Sequence, residues 1–390
     1  MDFSYSPDEE RFRSELHAWL ERNPPGPEPE QPTQWVAYAK AWQRKLAEAG
    51  WCGVAWPKEY GGRGATLIQQ IIFQEELALA RAPQFIGLAG LTMGGPVLIA
   101  HGSEAQKQRH LRSILTADEI WCQGFSEPNA GSDLAALKTK AVLDGDTFIV
   151  TGQKVWTSWA RYADVCMCLV RTDPDAPKHK GITFLLVDMR SPGVTVRPLT
   201  QINGDPDFNE VFFEDVRVPR ENVVGELNKG WDIAITCLMH ERQTLTFSRQ
   251  LQSKIALAEM LETARRRERL GTPATRDPLV RQALTRAYID AETMRFLAYR
   301  NLTKVLRGGV PGPEGSIEKL FWSEMYQRQL DVACELLGPH SQLLRHSKHA
   351  VDEGRWPHLL LYSKGRTIAA GTSEVQRNII AERVLGLPRG

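Results

Sequence analysis

Hydrophobic positions recur at helical spacing through the first 120 residues. Between Glu9 and Arg22, Phe12, Leu16, Trp19 and Leu20 fall at intervals of one, three and four, which predicts an amphipathic helix. Pro24-Pro-Gly-Pro27 stops it. A second helix is expected from Thr33 to Ala49, closed by Gly50, and Pro57 to Gly64 reads as a glycine-rich turn. Helical spacing returns over Leu67–Ala80, Gly95–His101 and Glu104–Leu115. From about Trp121 to Gly225 the pattern changes to short β-branched or aromatic runs: Thr147–Val150, Val165–Val170, Ile182–Val187 and Glu210–Phe213. Asp144-Gly145, Thr151-Gly152 and Ser191-Pro-Gly193 supply turns between them, so a sandwich or barrel is predicted. From Lys229 onward helices are expected again, at Gly230–Arg269, Pro278–Gly308, Ser316–Leu337 and Ser373–Val384. The fold class is α+β: a helical domain over 1–120, a middle β-domain over 121–228 and a helical domain over 229–390.

Composition narrows the function classes. A chain of 390 residues can bury large cores in two or three compact units. Its net charge of +1 gives no basic field for nucleic acid. The six cysteines are scattered without a C-x-x-C pair, so reduced, buried thiols are expected and a metal site is not. The opening Met1-Asp2-Phe3, followed by Asp8-Glu9-Glu10, differs from a secretory or transit peptide, and no apolar run reaches the roughly 18 residues of a membrane span. A cytoplasmic location is the expectation.

The candidate chemistry lies in four places. Gly124-Phe-Ser-Glu-Pro-Asn-Ala-Gly-Ser-Asp133 gathers hydroxyls and a glycine on one loop, and Lys154-Val-Trp-Thr-Ser158 follows one β-meander later. Such a loop can reach the polar edge of a flat aromatic cofactor while an indole covers its face. Each part also has a plain structural reading, a capped turn for the loop and core packing for Trp156. Glu241 shares a predicted helical face with Trp231, Ile235, Leu238 and Leu245. It is either a carboxylate paired at the stripe's edge or a general base made more basic by desolvation. Arg265-Arg-Arg-Glu-Arg269 complements a helix C-terminus or binds phosphate, and Thr372-Ser-Glu374 caps the last helix or meets an anion or ribose. No G-x-G-x-x-G follows a strand, and Walker A, H-E-x-x-H and G-x-S-x-G are absent, so a Rossmann unit does not hold the cofactor.

Over essentially its whole length the chain resembles the acyl-CoA dehydrogenases. The likeness rests on Gly124–Asp133, Thr151-Gly-Gln-Lys-Val-Trp156, Phe212-Phe-Glu-Asp-Val-Arg-Val-Pro219 and Ala370-Gly-Thr-Ser-Glu-Val-Gln-Arg377, in the family's order. It implies a helical N-terminal domain, a β-domain and a C-terminal four-helix bundle, with FAD extended between the last two and into a neighbouring subunit. By position, Phe125 and Ser126 would contact the flavin's pyrimidine end, Trp156 would cover the ring and Ser158 would bond near N5. Ser132 would lie near the flavin and the pantetheine, with Arg242 also on the acyl-CoA side. Arg267 from a partner subunit would meet the FAD phosphates, and Thr372 and Glu374 would sit by the cofactor's other half. Electron-transfer flavoprotein is the implied acceptor. The implied assembly is a homodimer, a homotetramer or a mixed tetramer with a paralogue.

Family members carry their catalytic glutamate in one of two places. One corresponds here to Ala370, which cannot take a proton; the other, used by isovaleryl- and long-chain-type members, corresponds to Glu241, followed by Arg242. The resemblance therefore implies that Glu241 takes the α-proton of an acyl-CoA while flavin N5 accepts the β-hydride. Two departures stand out. Glu335-Leu-Leu-Gly-Pro-His-Ser341 replaces the family's Gln-x-x-Gly-Gly-x-Gly by the FAD pyrophosphate, where a carboxylate repels and Pro339 lacks an N–H. Met239 and His240 stand where relatives often have polar pantetheine contacts. Other functions on this fold are a partner-dependent or inactive subunit of a mixed complex, as among actinobacterial steroid-side-chain relatives, and an acyl-CoA oxidase or flavin monooxygenase.

Overall fold

The computed structural model describes residues 4–29, 32–269, 271–308, 312–345 and 347–389, leaving the side chains of 32, 33 and 241–248 outside the description. The chain forms two compact units, Met1–Thr200 with Pro206–Thr244 and Gln201–Asp205 with Leu245–Gly390.

Five helices open the first unit: α1 (Pro7–Arg22), α2 (Pro32–Glu48), α3 (Leu67–Leu79), α4 (Gly95–His101) and α5 (Glu104–Thr116). Three of them start with one device. The hydroxyls of Ser6, Thr66 and Ser103 accept from the amide three residues on, where Glu9, Gln69 and Gln106 reach back to the cap's own N–H. These reciprocal bonds satisfy donors that a helix leaves open, so each helix begins where the pattern stands. That places the start of α1 at Pro7, two residues before the expected Glu9. Phe12, Leu16 and Leu20 of α1 share a core with Trp42, Ile72, Leu98 and Ile114 from the other four. Among them Glu76, 2% exposed, lies 2.8 Å from both Arg13 Nε and His17 Nδ1.

The strands are β1 (Trp121–Gly124), β2 (Lys140–Asp144), β3 (Thr147–Lys154), β4 (Val165–Arg171), β5 (Ile182–Asp188), β6 (Val194–Leu199), β7 (Phe208–Pro219) and β8 (Val223–Val224). They form one sheet, ordered β6-β7-β3-β2-β4-β5-β8, with β1 parallel to β4. Two cores meet on β4 and β5. Val165, Met167 and Leu169, with Phe184 and Leu186, face the helical core; Cys166, Cys168 and Val170, with Leu185 and Val187, face a second core. Phe148 and Val150 of β3 and Val211, Phe213, Val216 and Val218 of β7 complete that second core, so the sheet folds round its own apolar interior. Burial on both faces is why β4 and β5 read as unbroken apolar runs.

The strands differ from the sequence reading at several points, the first being that β3 runs on to Lys154, so Thr151-Gly152, expected as a turn, lies inside the strand. β6, absent from that reading, carries Pro198, which an edge strand tolerates because its N–H need not pair. β7 runs well past the expected Glu210–Phe213, because a bulge opposite Gly152 shifts the inward phase from Val211 and Phe213 to Val216 and Val218. Asp215 takes the left-handed conformation there (φ +52°), and Thr151 Oγ1 donates to its carboxylate at 2.7 Å.

The long helix α6 (Gly230–Arg266) opens in the first unit, and its later turns belong to the second. Its first turns bury Ile233, Ala234 and Cys237; of the predicted stripe, Trp231 and Leu238 pack against the same core, while Ile235 is 42% exposed and does not. The expected extension to Arg269 is also corrected. The helix ends at Arg266, and β9 (Glu268–Arg269) pairs with β10 (Thr272–Pro273) around Gly271 at φ +76°. Then come α7 (Pro278–Leu306), α8 (Gly315–Leu337), α9 (Arg355–Ser363) and α10 (Ser373–Ile379), the last prolonged by a π turn over Ile380–Val384. Met260 of α6, Leu284 and Met294 of α7, Trp322 and Leu330 of α8 and Trp356 of α9 share the second unit's core. The sequence reading lacks α9 because Pro357 interrupts its pattern. That proline is the third helical residue, where an amide needs no intrahelical acceptor. Among the described residues no helix is long and apolar enough to cross a membrane.

Gly230, the first residue of α6, lies against β5: an added Cβ would stand 2.4 Å from Phe184 N and 2.5 Å from Thr183 C. Backbone cannot swing aside as a side chain can. Gly230→Ala is therefore expected to lower stability by about 1–3 kcal/mol. Chemical denaturation measures this, and an unchanged midpoint would contradict the close approach.

Candidate functional site

The loop after β1 is fastened from below. Gly124 sits so near β4 that a Cβ would meet Cys166 Sγ at 2.6 Å. Phe125 is 4% exposed, and its ring meets Phe184 edge-on at 6.0 Å, so its side chain is committed to the core. Glu127 and Ala130 exchange backbone hydrogen bonds of 3.1 and 3.0 Å, closing the Pro128-Asn129 turn. Lys154, fully buried at the end of β3, donates to Glu127 Oε1 at 2.8 Å and to Phe125 O at 3.1 Å. The Glu127 carboxylate also accepts from the amides of Lys138 (2.7 Å) and Thr139 (2.8 Å). Burial pushes the Glu127 pKa up, but the Lys154 charge and these hydrogen bonds outweigh it and hold the carboxyl below the usual range. Val155 N donates to Ser126 O at 2.9 Å. Loop and strand end are thus one rigid piece.

This piece presents Trp156. Its backbone is left-handed (φ +60°), and its indole is 62% exposed, with Phe208 edge-on at 6.2 Å. A bulky residue in that conformation is strained and persists only where its surroundings force it. The forcing contacts are visible on the next residues. Thr157 and Asn209 exchange backbone bonds of 3.0 and 3.1 Å, Asn209 Nδ2 donates to Thr157 O at 2.9 Å, and Trp159 N donates to Asp207 O at 2.9 Å. Trp156 does not pack into a core, which corrects the plain structural reading. Ser158 is exposed, Ser126 half-buried and Ser132 exposed at the loop's far end, next to Asp133, which pairs with Lys178 at 2.6 Å. Thr157 Oγ1 and Asn209 Oδ1 are buried with no hydrogen-bond partner among the described residues. An exposed indole beside the exposed Ser158 and beside Thr157, whose buried hydroxyl has no partner among the described residues, fits a flat aromatic ligand with a polar edge.

Glu241 and Arg242 lie in the helical backbone of α6, and their side chains are outside the described residues. The turn before them is described. His101 Nε2 lies 3.1 Å from Thr236 Oγ1, and burial, with the nearby His101, pushes the His240 pKa down, so that imidazole is uncharged near neutrality.

In the second unit Arg267 follows the end of α6. Its Nη2 lies 3.3 Å from Leu337 O and 3.3 Å from His340 Nδ1, and its Nε is buried with no partner among the described residues. The structure thus brings Arg267 to the divergent stretch Glu335–Ser341, where Glu335 is exposed. Thr372 is the N-cap of α10, accepting from Val375 N at 3.2 Å. Glu374 is exposed, and its own amide and the Thr372 hydroxyl hold its carboxyl below the usual range. None of the six cysteines is in a disulfide and all are buried, and no metal-binding cluster exists among the described residues.

The sequence reading singled out Ser126, Trp156 and Ser158 but gave no role to Glu127, Lys154 or Asn209. A signal was available: Glu127 and Lys154 are opposite charges inside the two quoted motifs, each beside apolar neighbours.

Models of the N-terminal, middle and C-terminal domains of acyl-CoA dehydrogenase match residues 6–118, 122–216 and 228–385. The chain is 39% identical over 391 residues to acyl-CoA dehydrogenase IpdE1 of Mycobacterium tuberculosis, covering 98% of each. A chain of the ChsE4-ChsE5 complex from Mycobacterium tuberculosis superposes with a TM-score of 0.89 at 34% identity, covering 100% of both chains. A chain of the Tcur3481-Tcur3483 steroid ACAD does so with 0.87 at 31% identity, again over 100% of both.

Lys154→Met leaves the Glu127 carboxylate buried without its cation and is expected to cost about 3–5 kcal/mol near neutral pH. Because the folded-state pKa of Glu127 is depressed, the pair stabilises above the ordinary glutamate value of about 4.3 and fades as pH falls through the lower folded value. In the variant the uncompensated carboxylate titrates higher, so the deficit shrinks in acid once Glu127 is protonated. Denaturation of both proteins at neutral pH and at about pH 4 reads this; an equal deficit at both values would assign the loss to packing.

Proposed function

This chain belongs to the acyl-CoA dehydrogenase family, whose members are FAD-dependent enzymes acting on acyl-CoA, and from that premise we propose that it desaturates an acyl-CoA thioester between Cα and Cβ, with Glu241 as the base. The observation that carries the reading is Trp156, an indole held open at φ +60° on a scaffold locked by a buried ion pair. Such a platform suits a planar ring, and Ser126 on the loop and Ser158 past the strand end offer hydroxyls for its polar edge. Bound FAD supplies the hydride acceptor for the β-hydrogen. The chain supplies the rest.

The thioester carbonyl acidifies the α-hydrogen, and Glu241 takes that proton onto its carboxylate. Ala370, where other members have an acid, offers no competitor. His240, uncharged near neutrality, adds no positive charge beside the base. Phe125 through its backbone and Ser126 through its hydroxyl serve the polar edge of the cofactor, Trp156 covers its face and Ser158 bonds beside it. Ser132 and Arg242 hold the acyl-CoA. Arg267 meets the cofactor phosphates of a neighbouring subunit, and Thr372 and Glu374 serve the cofactor's other half. The product is a trans-2-enoyl-CoA, and electrons leave to an electron-transfer flavoprotein. The likeness to the Tcur3481-Tcur3483 steroid ACAD supports a bulky, steroid-derived acyl group.

A second reading has its own observation. Arg267 is tied to a stretch carrying Glu335 and Pro339, which oppose an anion by charge and by the missing N–H. With the likeness to the ChsE4-ChsE5 complex, this favours a chain that pairs with a paralogue and holds FAD in only one kind of interface, over a homodimer or homotetramer.

Glu241→Gln is expected to retain FAD and to slow anaerobic bleaching of the flavin by acyl-CoA by about 10²–10⁴-fold. Bleaching at the wild-type rate would place the base elsewhere. A panel of straight, branched and steroid-derived acyl-CoAs, run on the chain alone and with a paralogue, assigns substrate and assembly together.

A further inference from the structure

Two left-handed residues, Ala370 (φ +54°) and Gly371 (φ +92°), immediately precede the α10 cap Thr372. Glycine adopts that conformation freely, whereas alanine is strained in it. Side chains hold the turn in place. Gly371 O accepts from Lys319 Nζ at 2.5 Å and from Gln376 Nε2 at 3.2 Å, and Gln376 Nε2 also lies 3.1 Å from Ala370 O. Both holders are sunk in the second unit, Lys319 5% and Gln376 3% exposed. Ser373 Oγ, 6% exposed in the same turn, has no hydrogen-bond partner among the described residues and is left over as a donor.

Lys319 is an unusual holder. It rises from the second turn of α8, is 5% exposed, and aims its ammonium at a neutral carbonyl. Burial lowers its pKa to about 8; the charge of Arg249 acts in the same direction, and Glu374 and Glu324 act against it. Burying a cation without a carboxylate in contact costs stability. What the arrangement secures is the position of one carbonyl, three residues before the exposed carboxylate of Glu374.

Resting on the reading that Thr372 and Glu374 serve the cofactor, we propose that Lys319 is a positioning residue for the FAD site. Through Gly371 O it locks the Ala370–Gly371 turn and so fixes where the Thr372 hydroxyl and the Glu374 carboxylate stand. It touches neither substrate nor reacting atoms.

The test uses Lys319→Met, which keeps the side chain's length and removes its charge and donors, and the double variant Lys319→Met with Ala370→Gly. Each is prepared as the wild type occurs, alone or with a paralogue. Amide hydrogen exchange over residues 370–376 in the FAD-free protein reports the turn directly, and titration with FAD reports the site. Lys319→Met is expected to fold, to lose protection over 370–376 and to bind FAD about tenfold or more weakly. Ala370→Gly relieves the strain that Lys319 holds in check and is expected to restore part of the affinity. Wild-type FAD affinity in Lys319→Met overturns the proposal. So does weakened binding with unchanged protection, or a general loss of stability that Ala370→Gly does not rescue. A wild type that protects the turn yet takes up no FAD in any assembly refutes the cofactor reading itself and is told apart by the exchange data.

Discussion

The ion pair between Lys154 and Glu127 is the constraint on which the candidate site rests. Neither charge is accessible, one at 0% and the other at 8% exposure, and each is tolerable only because the other is there. The carboxylate collects three donors and the ammonium two acceptors, with good geometry throughout. A loop of small residues would otherwise have many conformations. Here the loop's own glutamate is bound to the strand that carries Trp156, so ordering one orders the other. The strain at Trp156 is stored against that rigidity, as fits a residue whose use lies in being open rather than packed.

The second unit solves a related problem with different means. Its functional candidates stand at helix ends, where the backbone turns sharply: Arg267 after α6, Glu335–Ser341 across the end of α8, and Thr372 with Glu374 at the start of α10. Each turn is pinned by long polar side chains reaching carbonyls, Arg267 to Leu337 O and Lys319 to Gly371 O. Charge is used there to shape backbone. The Glu335–Ser341 stretch, with Glu335 and Pro339, which do not favour an anion, meets Arg267, whose charge attracts one, and this combination underlies the proposed pairing with a paralogue.

Most helices were legible in the sequence because their signals are local. Ser6, Thr66 and Ser103 each have Glu or Gln three residues on, and the helices begin there. β4 and β5 were legible as unbroken apolar runs. β6 and α9 were not, since Pro198 and Pro357 break the pattern, and only an edge position or a first helical turn makes those prolines harmless. The length of β7 was hidden by a bulge that reverses the inward phase. In the site, the motifs pointed to Ser126, Trp156 and Ser158, but not to the buried pair beneath them.

The order of residues by itself determined the sequence of elements, the family and the set of candidate groups, because caps, periodicity and long motifs are properties of neighbouring residues. Tertiary structure alone decided that Trp156 stands open while Phe125 is consumed by the core, that Ile235 faces outward, and that Arg267 meets His340. Those outcomes depend on contacts between positions tens of residues apart, each fixed by packing and by the need to pair buried charge, and no local pattern encodes them.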